Sequence, residues 1–431
     1  MTRRVARLVA GWSTGLSRPV LILQGGNALN YFGYGLVLPF EIIYLHQIRG
    51  FPTSTAGLVL AATMGTAAVV TPPTGALLDR YSAKAIVAGG SLASALGYAG
   101  FAFVEHPREA FACSIVGGAG LGAAGTANRT LVVRLITPEQ RAAAFALNRV
   151  AGNFGIGLGA TVAGFAVAAA QRLGSFQILY LFDAVTSAGF ALIVLAAIPS
   201  TGAVTAAATD ANETGFRAVA RDRLFLTVIA ANIVLVVVGH TLFSNILPPF
   251  AKAHTPVGPA EIGIIVLVNT SFIVIAQIPA VRVVARMRRT HAFALTSVFF
   301  AVSLLGVLPA TLIHSALAAT TLLVGVAVVF ALGEIAHILV LGPLVADMAP
   351  AHLLGRYLSL YSLTFALSLA VGPAIGGLLL KTAPDAIWWG GAVAALLAGT
   401  VLLRLGDRIP DPRSGVTRPQ PCGKIRRSAA R

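Results

Sequence analysis

An acidic and a basic side chain stand three residues apart inside an otherwise apolar stretch of this sequence. Glu334 lies roughly 13 residues before the polar end at Asp347, or about 20 Å along a helix. His337 shares its helical face. A carboxyl group in a low-dielectric site favours its protonated form, so Glu334 is a candidate proton carrier with His337 beside it. The alternative is a protonated glutamate that is hydrogen-bonded for packing.

Two arginines and a further histidine also lie within apolar segments. Arg129 and Arg149 stand about 12 Å from the same end of two consecutive segments. They could bind an anionic substrate or a carboxylate partner, or extend their charged ends to the surface. His240 is near the middle of a later segment, where it would line a cavity or serve packing.

A polar stripe follows the first apolar segment at helical spacing: Asn27, Asn30, Tyr34 and Glu41. Such a stripe should face protein or a water-filled cavity rather than lipid. Glu41 is a second candidate for protonation, although its place near the segment's end also suits a solvated, interfacial role. Asp183, in the sixth segment, is interpreted as a structural hydrogen-bonding group.

The composition requires a membrane as the solvent for these segments. The 431 residues are 57% hydrophobic and 11% charged, with a mean hydropathy of +0.84, whereas soluble proteins average about 25% charged residues. Apolar runs of about 20 residues without alternation predict helices rather than a barrel. We therefore predict an all-α integral membrane protein with twelve transmembrane helices.

A polar break divides the predicted helices into two sets of six. The predicted parts are a basic N-terminus (1–18), a six-helix bundle (19–198), a central loop (199–222), a second six-helix bundle (223–405) and a basic tail (406–431). Matches at similar offsets, such as Pro138 with Pro350 and Arg80 with Arg286, indicate a duplicated unit. The two bundles should therefore be pseudo-symmetric, with the site between them.

The net charge is +16, and the basic residues are distributed as this topology predicts. With the N-terminus inside, 24 of the 31 Lys and Arg residues fall on the cytoplasmic side and five outside, the remainder being Arg129 and Arg149. This asymmetry predicts a multi-pass protein with both termini in the cytoplasm, in contact with anionic lipid. The excess of arginine over lysine (27 to 4) and the abundant alanine indicate a bacterial source, so the expected location is a bacterial plasma membrane. A nucleic-acid partner is not expected.

A charged turn between the second and third segments carries a specific motif. Residues 75–84 read GALLDRYSAK and resemble the loop between helices 2 and 3 of the major facilitator superfamily, G-x-x-x-D-R-x-x-[GA]-[RK]. The resemblance implies a cytoplasmic conformational latch made of Gly75, Asp79, Arg80 and Lys84. In the repeat, Ala285 occupies the position that corresponds to Asp79. The second copy of the latch motif is therefore degraded, because it lacks the acidic residue.

Glycine strings add to the resemblance. Residues 151–159 (AGNFGIGLG) contain Gly155 and Gly159, and residues 372–377 (GPAIGG) contain Gly372, Pro373, Gly376 and Gly377. Small residues let membrane helices pack closely. The second string resembles a signature of the superfamily's drug–proton antiporters, although there the proline version belongs to helix 5 and here it lies in the second half.

The resemblance implies a function. The expected protein is a monomeric secondary transporter that exports a small amphipathic molecule in exchange for protons by alternating access. Uptake or facilitated transport of an organic anion or nutrient is the alternative, and a non-transporting sensor is a third reading. No nucleotide-binding motif is present and the loops are short, so we expect neither an enzyme nor a cofactor. The membrane carboxylates are too scattered for a metal site.

Overall fold

Long helices joined by short turns make up the described structure. The computed structural model describes residues 15–169, 172–199 and 215–409. Twelve long helices lie in this part, which contains no strand. They are α1 (Arg18–Val37), α2 (Thr53–Leu78), α3 (Ala83–Phe101), α4 (Pro107–Arg134), α5 (Arg141–Ala169), α6 (Leu173–Ala197), α7 (Arg223–Leu235), α8 (Pro259–Val284), α9 (Arg289–Val307), α10 (Ala316–Met348), α11 (Leu354–Thr382) and α12 (Pro384–Leu405).

Ten of the described helical segments are long and apolar enough to cross a membrane. Segment 83–101 (α3), rich in Gly, Ala and Ser, and segment 354–382 (α11) complete the set of long helices. The all-α membrane fold is therefore confirmed. Most of the predicted central loop and of the basic tail lies outside the described residues, apart from a short helix, Phe216–Arg221, and the turn up to residue 409.

Two helices change geometry along their length. The chain continues from α1 through a 3₁₀ turn (Leu38–Phe40), a short α-helical turn (Glu41–Ile43) and a π-helical turn (Tyr44–Ile48). The chain continues from α7 through a π-helical segment, Val236–Ile246, and an α-helical end, Leu247–His254. π-helical insertions often mark functional sites because they redirect side chains.

The helices form two halves, α1–α6 and α7–α12, that meet through two sets of contacts. In the first half α1 packs on α5 and α6, and α3 packs on α4 and α6. In the second half α9 packs on α10 and α12. Between the halves, α2 packs on α11, and α5 packs on α8 and α10. The site between the halves is therefore framed by these five helices.

The halves are in close contact at the end where α1 begins and α2 ends, which we call the inner end. A Cβ added to Gly75 would lie 2.5 Å from the Ser359 Cβ, and one added to Gly355 would lie 2.4 Å from the Gly75 carbonyl oxygen. Across the other contact, a Cβ on Gly342 would lie 2.5 Å from the Phe145 ring. The absence of side chains at these glycines therefore allows the inner end to close.

An acidic side chain from α2 stands at the start of α11. Asp79 accepts hydrogen bonds from the Gly355 backbone N–H (2.7 Å) and from the Arg356 guanidinium (2.7 Å). A carboxylate at a helix N-terminus is also favoured by the helix dipole. Burial raises the pKa of Asp79 to about 6, against the opposing effects of the Gly355 N–H and of Arg356. The carboxyl group is therefore ionised at neutral pH, and the ion pair joins the two halves.

The other predicted latch residues have different surroundings. Arg80 is exposed and has no carboxylate partner in the described part of the chain, so the cation that meets Asp79 is Arg356 of the other half. Lys84 donates to the Ile198 carbonyl oxygen (2.7 Å), which ties α3 to the end of α6. Arg134 donates to the Leu78 carbonyl oxygen (2.6 Å), just beside Asp79.

The second half carries a latch of its own at a different sequence position. Asp347, at the end of α10, accepts hydrogen bonds from Arg141 at the start of α5 and from Arg289 at the start of α9. Ala285 contributes no charge, as the sequence predicted. Asp347 supplies the carboxylate of this latch instead. Each half therefore presents one carboxylate to an arginine at the start of α5 or α11 in the opposite half.

The glycines of α5 press against α1. A Cβ on Gly159 would lie 2.2 Å from the Phe32 carbonyl oxygen, and one on Gly155 would lie 2.6 Å from that of Ala28. A Cβ on Gly376 would meet the flexible end of Ile246 at 2.5 Å. The surroundings of Gly372, Pro373 and Gly377, which also belong to α11, lie outside the described part of the structure.

We expect Gly159→Val to destabilise the protein. The added side chain would overlap the α1 backbone, and overpacking of this kind costs about 1–3 kcal/mol. Gly157→Val is the matched control, because nothing lies within 4 Å of a Cβ there. Thermal unfolding of both variants in detergent should give a lower Tm for Gly159→Val alone. Equal Tm values would contradict the close approach of α1 and α5.

We expect Asp79→Ala to open the inner end. The change removes the acceptor of the Gly355 N–H and leaves Arg356 buried without its carboxylate. The loss of such a contact between the halves should shift the equilibrium between the closed and open inner end by about 5- to 150-fold. Spin labels on Tyr81→Cys and Arg286→Cys, in a chain whose native cysteines are replaced by serine, would report the distance across the inner end. Both sites are exposed.

Longer distances should become more populated in the Asp79→Ala protein. Glu139→Gln is the control, since Glu139 is an exposed carboxylate on the same end of the molecule. A distance distribution that is the same in Asp79→Ala as in the parent protein would remove Asp79 from the latch.

Candidate functional site

An ion pair joins the two halves deep within the bundle. The Arg149 guanidinium on α5 donates to the Glu334 carboxylate on α10. The Glu334 side chain is only 7% exposed, whereas 29% of the Arg149 side chain is exposed. A carboxylate buried this deeply needs a cation or a proton. Here the cation comes from the opposite half, so the charge state of Glu334 is coupled to the contact between the halves.

His240 lies in the π-helical segment Val236–Ile246 that follows α7, and it approaches the same carboxylate. Its Nδ1 lies 3.6 Å from the Glu334 Oε1, and 27% of its side chain is exposed. Next to it, a Cβ on Gly239 would lie 2.4 Å from the Phe300 ring, so this segment needs a glycine to approach α9. Glu334, Arg149 and His240 are thus brought together, and we call them the central polar triad.

Arg129 lies on the other contact between the halves. It donates to the Ser362 hydroxyl of α11 (3.0 Å), and its guanidinium carbon lies 5.3 Å from the Tyr361 ring centroid and 5.8 Å from that of Phe365. Cation–π contacts of this geometry hold a guanidinium without neutralising it. Within the described residues Arg129 has no carboxylate partner, so its charge remains available to an anion.

His337 faces its own half rather than the triad. Its Nε2 lies 2.8 Å from the Asn232 Oδ1, and the Asn232 amide donates to the Thr364 hydroxyl (2.6 Å). With the Asn232 oxygen as acceptor, His337 is assigned as the donor through its Nε2–H. The rings of Phe293 and Phe300 lie 6.2 Å away. This network links α10, α7 and α11.

The polar stripe of the first helix packs within the first half. Asn30 accepts a hydrogen bond from Ser187 of α6 (2.9 Å), and the Tyr34 ring lies 6.3 Å from that of Tyr98 on α3. Asn27 is buried, and its amide nitrogen has no hydrogen-bond partner among the described residues. Glu41 is also buried, at 7% exposure. The structure therefore does not place this stripe with the central polar triad.

Several site residues escaped the sequence analysis. Tyr361, Ser362 and Phe365 line the α11 face opposite Arg129, and Asn232 and Thr364 hold His337. Tyr361 and Phe365 stand one helical turn apart, and this spacing is the sequence feature that could have identified them. Neutral polar residues in apolar helices are too frequent to be selected without the fold.

A surface cavity of about 790 Å³ between α9 and α10 lies apart from these groups. Its lining is mostly apolar and includes Val302, Leu317, Val326 and Val329. It carries no charged side chain and suits a lipid tail better than a polar solute. The candidate site is therefore the central polar triad with Arg129, and not this cavity.

Comparison with known proteins identifies the family. The model of the Major Facilitator Superfamily matches residues 25–254 and 229–429. The chain is 22% identical over 392 residues to the uncharacterized MFS-type transporter YhjO of Bacillus subtilis (strain 168), covering 89% of this chain and 92% of that protein. It is 29% identical over 171 residues to the multidrug resistance protein MdtH of Klebsiella pneumoniae (strain 342), covering 40% of each.

Solved structures share the fold at low sequence identity. A bacterial homologue of the iron transporter ferroportin, in an outward-facing state, has a TM-score of 0.75 and 15% identity, covering 90% of this chain and 99% of that one. The human organic anion transporter MFSD10 (TETRAN) has a TM-score of 0.69 and 18% identity, covering 89% and 99%. With its two six-helix halves and the family match along its length, this chain is a multi-pass membrane transporter of the Major Facilitator Superfamily.

Proposed function

We propose that this transporter exports a small amphipathic molecule in exchange for protons, across a bacterial plasma membrane with both termini in the cytoplasm. The observation that carries the proposal is the Arg149–Glu334 ion pair, which joins the two halves inside the bundle. A proton on Glu334 would remove its charge and release Arg149. Proton binding would thereby change both the contact between the halves and the charge presented to a substrate.

The closed inner end supports an alternating-access cycle. The Asp79–Arg356 and Asp347–Arg141 pairs hold the halves together at that end. A cycle needs these pairs to break when the central groups change charge. The relatives named as multidrug resistance proteins support efflux of an amphipathic compound, and the aromatic side chains of Tyr361 and Phe365 next to Arg129 offer such a compound an apolar surface.

Glu334→Gln should abolish proton-coupled transport. Glutamine keeps the shape and can still accept from Arg149, but it cannot take up a proton. Purified protein in liposomes containing a pH-sensitive dye would be given a proton gradient and a panel of lipophilic cations, neutral antibiotics and organic anions. Substrate-dependent proton release should fall to background in the variant.

The matched control is Glu105→Gln, an exposed glutamate between α3 and α4. It should release protons as the parent protein does. Full proton-coupled activity of Glu334→Gln would exclude Glu334 as the coupling group. Substrate movement without proton flux in the parent protein would indicate facilitated transport instead.

Transport of an organic anion is the second candidate, and the observation that favours it is Arg129. Its guanidinium is held by the Ser362 hydroxyl and two aromatic rings, with no carboxylate partner in the described chain. Together with Arg149 it would give the site a net positive charge once Glu334 is protonated. The likeness to an organic anion transporter supports this reading only at the level of the fold.

Arg129→Gln should separate the two candidates. Hydrogen bonds to charged groups contribute about 1.5–3 kcal/mol, so the loss should weaken the apparent affinity for an organic anion by roughly 10- to 100-fold. Transport of lipophilic cations should be retained. Arg108→Gln, at an exposed arginine in the first turn of α4, is the control. An unchanged anion affinity in Arg129→Gln would reject the anion reading.

A further inference from the structure

The segment that precedes α7 packs against the start of α11, where the first latch closes. The short helix Phe216–Arg221, which we call the linker helix, follows Gly215, whose positive φ of 106° turns the chain into it. Val219 on this helix is fully buried, whereas Arg217 and Ala220 are exposed. One face of the linker helix is therefore packed against α7 and α11, and the other is exposed.

The linker helix covers the latch arginine with an aromatic ring. The Phe216 ring centroid lies 5.7 Å from the guanidinium carbon of Arg356, whose side chain is only 9% exposed. That guanidinium donates to the Asp79 carboxylate through a terminal nitrogen, and its Nε is buried with no hydrogen-bond partner among the described residues. An aromatic ring attracts a guanidinium through its face. The contact therefore leaves the edge of the guanidinium free to meet the carboxylate.

A hydrogen bond and a ring contact fasten the other end of the linker helix to α11. Tyr357, the residue after Arg356, donates its hydroxyl to the Asp222 carboxylate (2.6 Å), and its ring centroid lies 4.3 Å from that of Phe225. The other carboxylate oxygen of Asp222 accepts from the Phe225 N–H (3.2 Å) and caps α7. Phe216 and Asp222 therefore hold consecutive residues of α11 from the two ends of the linker helix.

An arginine that is already held in one conformation loses little entropy when it meets its carboxylate. A free arginine side chain has a large rotamer entropy, part of which is lost when an ion pair forms. The linker helix and Arg356 lie on the same side of the contact between the halves, so Phe216 can stay on the guanidinium when the inner end opens. The guanidinium is then kept in the conformation in which it donates to Asp79.

We propose that the linker helix is a positioning element of the inner latch. Phe216 and the Tyr357–Asp222 hydrogen bond orient Arg356 towards Asp79, and they thereby stabilise the closed inner end. The segment that leads from one half into the next thus takes part in the equilibrium between the two conformations. The proposal concerns the latch alone and needs neither the proposed substrate nor proton coupling.

Distances across the inner end test the proposal without substrate and without a proton gradient. The full-length, cysteine-free chain would carry spin labels on Tyr81→Cys and Arg286→Cys. Phe216→Leu keeps an apolar side chain but removes the ring, so it should raise the ratio of open to closed protein by about 3- to 30-fold, the range that arginine rotamer entropy allows. Phe216→Tyr keeps the ring at this partly exposed position and should restore the parent ratio.

Two further variants separate positioning from general packing. Tyr357→Phe removes the hydrogen bond to Asp222 but keeps the ring on Phe225, and it should also favour the open form. Arg217→Gln is the matched control, because Arg217 is exposed on the same helix, and it should leave the ratio unchanged.

A double-mutant cycle with Asp79 shows whether Phe216 acts through the latch. In the Asp79→Ala protein, where Arg356 has no carboxylate to meet, Phe216→Leu should change the ratio by less than about 2-fold. An unchanged distance distribution in Phe216→Leu would overturn the proposal, even with a lowered Tm. An equal shift with and without Asp79 would also overturn it, because the linker helix would then serve packing alone.

The cycle can be run with either end of the linker helix. If Phe216→Leu does not fold, the same cycle with Tyr357→Phe decides the proposal by the same two criteria. The shifts are measured without transport, so they can be present while the liposome assay shows no proton-coupled export. The two proposals therefore fail separately.

Discussion

A carboxylate inside an apolar helical bundle needs a cation or a proton, and this requirement organises the structure. Glu334 meets it through Arg149, Asp79 through Arg356 and Asp347 through Arg141. In every one of these pairs the acid and the base belong to opposite halves. Removing one partner of a buried pair costs about 3–5 kcal/mol, so these pairs stabilise the contact between the halves. The same groups can be altered by protonation or by a substrate.

The two latches carry their charges on different helices. In the first half the acid, Asp79, ends α2, and the base, Arg134, ends α4. In the second half the acid, Asp347, ends α10, and the base, Arg289, begins α9. In both halves the carboxylate nevertheless meets an arginine at the start of α5 or α11 in the opposite half. The contact, rather than the motif, is what the two halves have in common.

The sequence predicted the fold well because hydropathy depends on whole segments rather than on single contacts. It located Glu334 and Arg149 as separate candidates, but it could not pair them, since the register of α5 against α10 depends on packing between distant glycines and rings such as Gly342 and Phe145. The π-helical segment that brings His240 to Glu334 has no sequence signature. Motif matching also selected Arg80, whereas the structure places Arg356 beside Asp79.

The latch carboxylates also have cations within their own halves. Arg134 lies beside Asp79, and Arg289 binds Asp347 from the same half. When the inner end opens, each carboxylate can therefore exchange its distant arginine for water while keeping a nearby positive charge. Opening then exchanges one partner of the carboxylate for another and does not leave the carboxylate without a counter-charge. The free energies of the two conformations therefore differ by only a few kcal/mol, which the binding of a proton or a solute can offset.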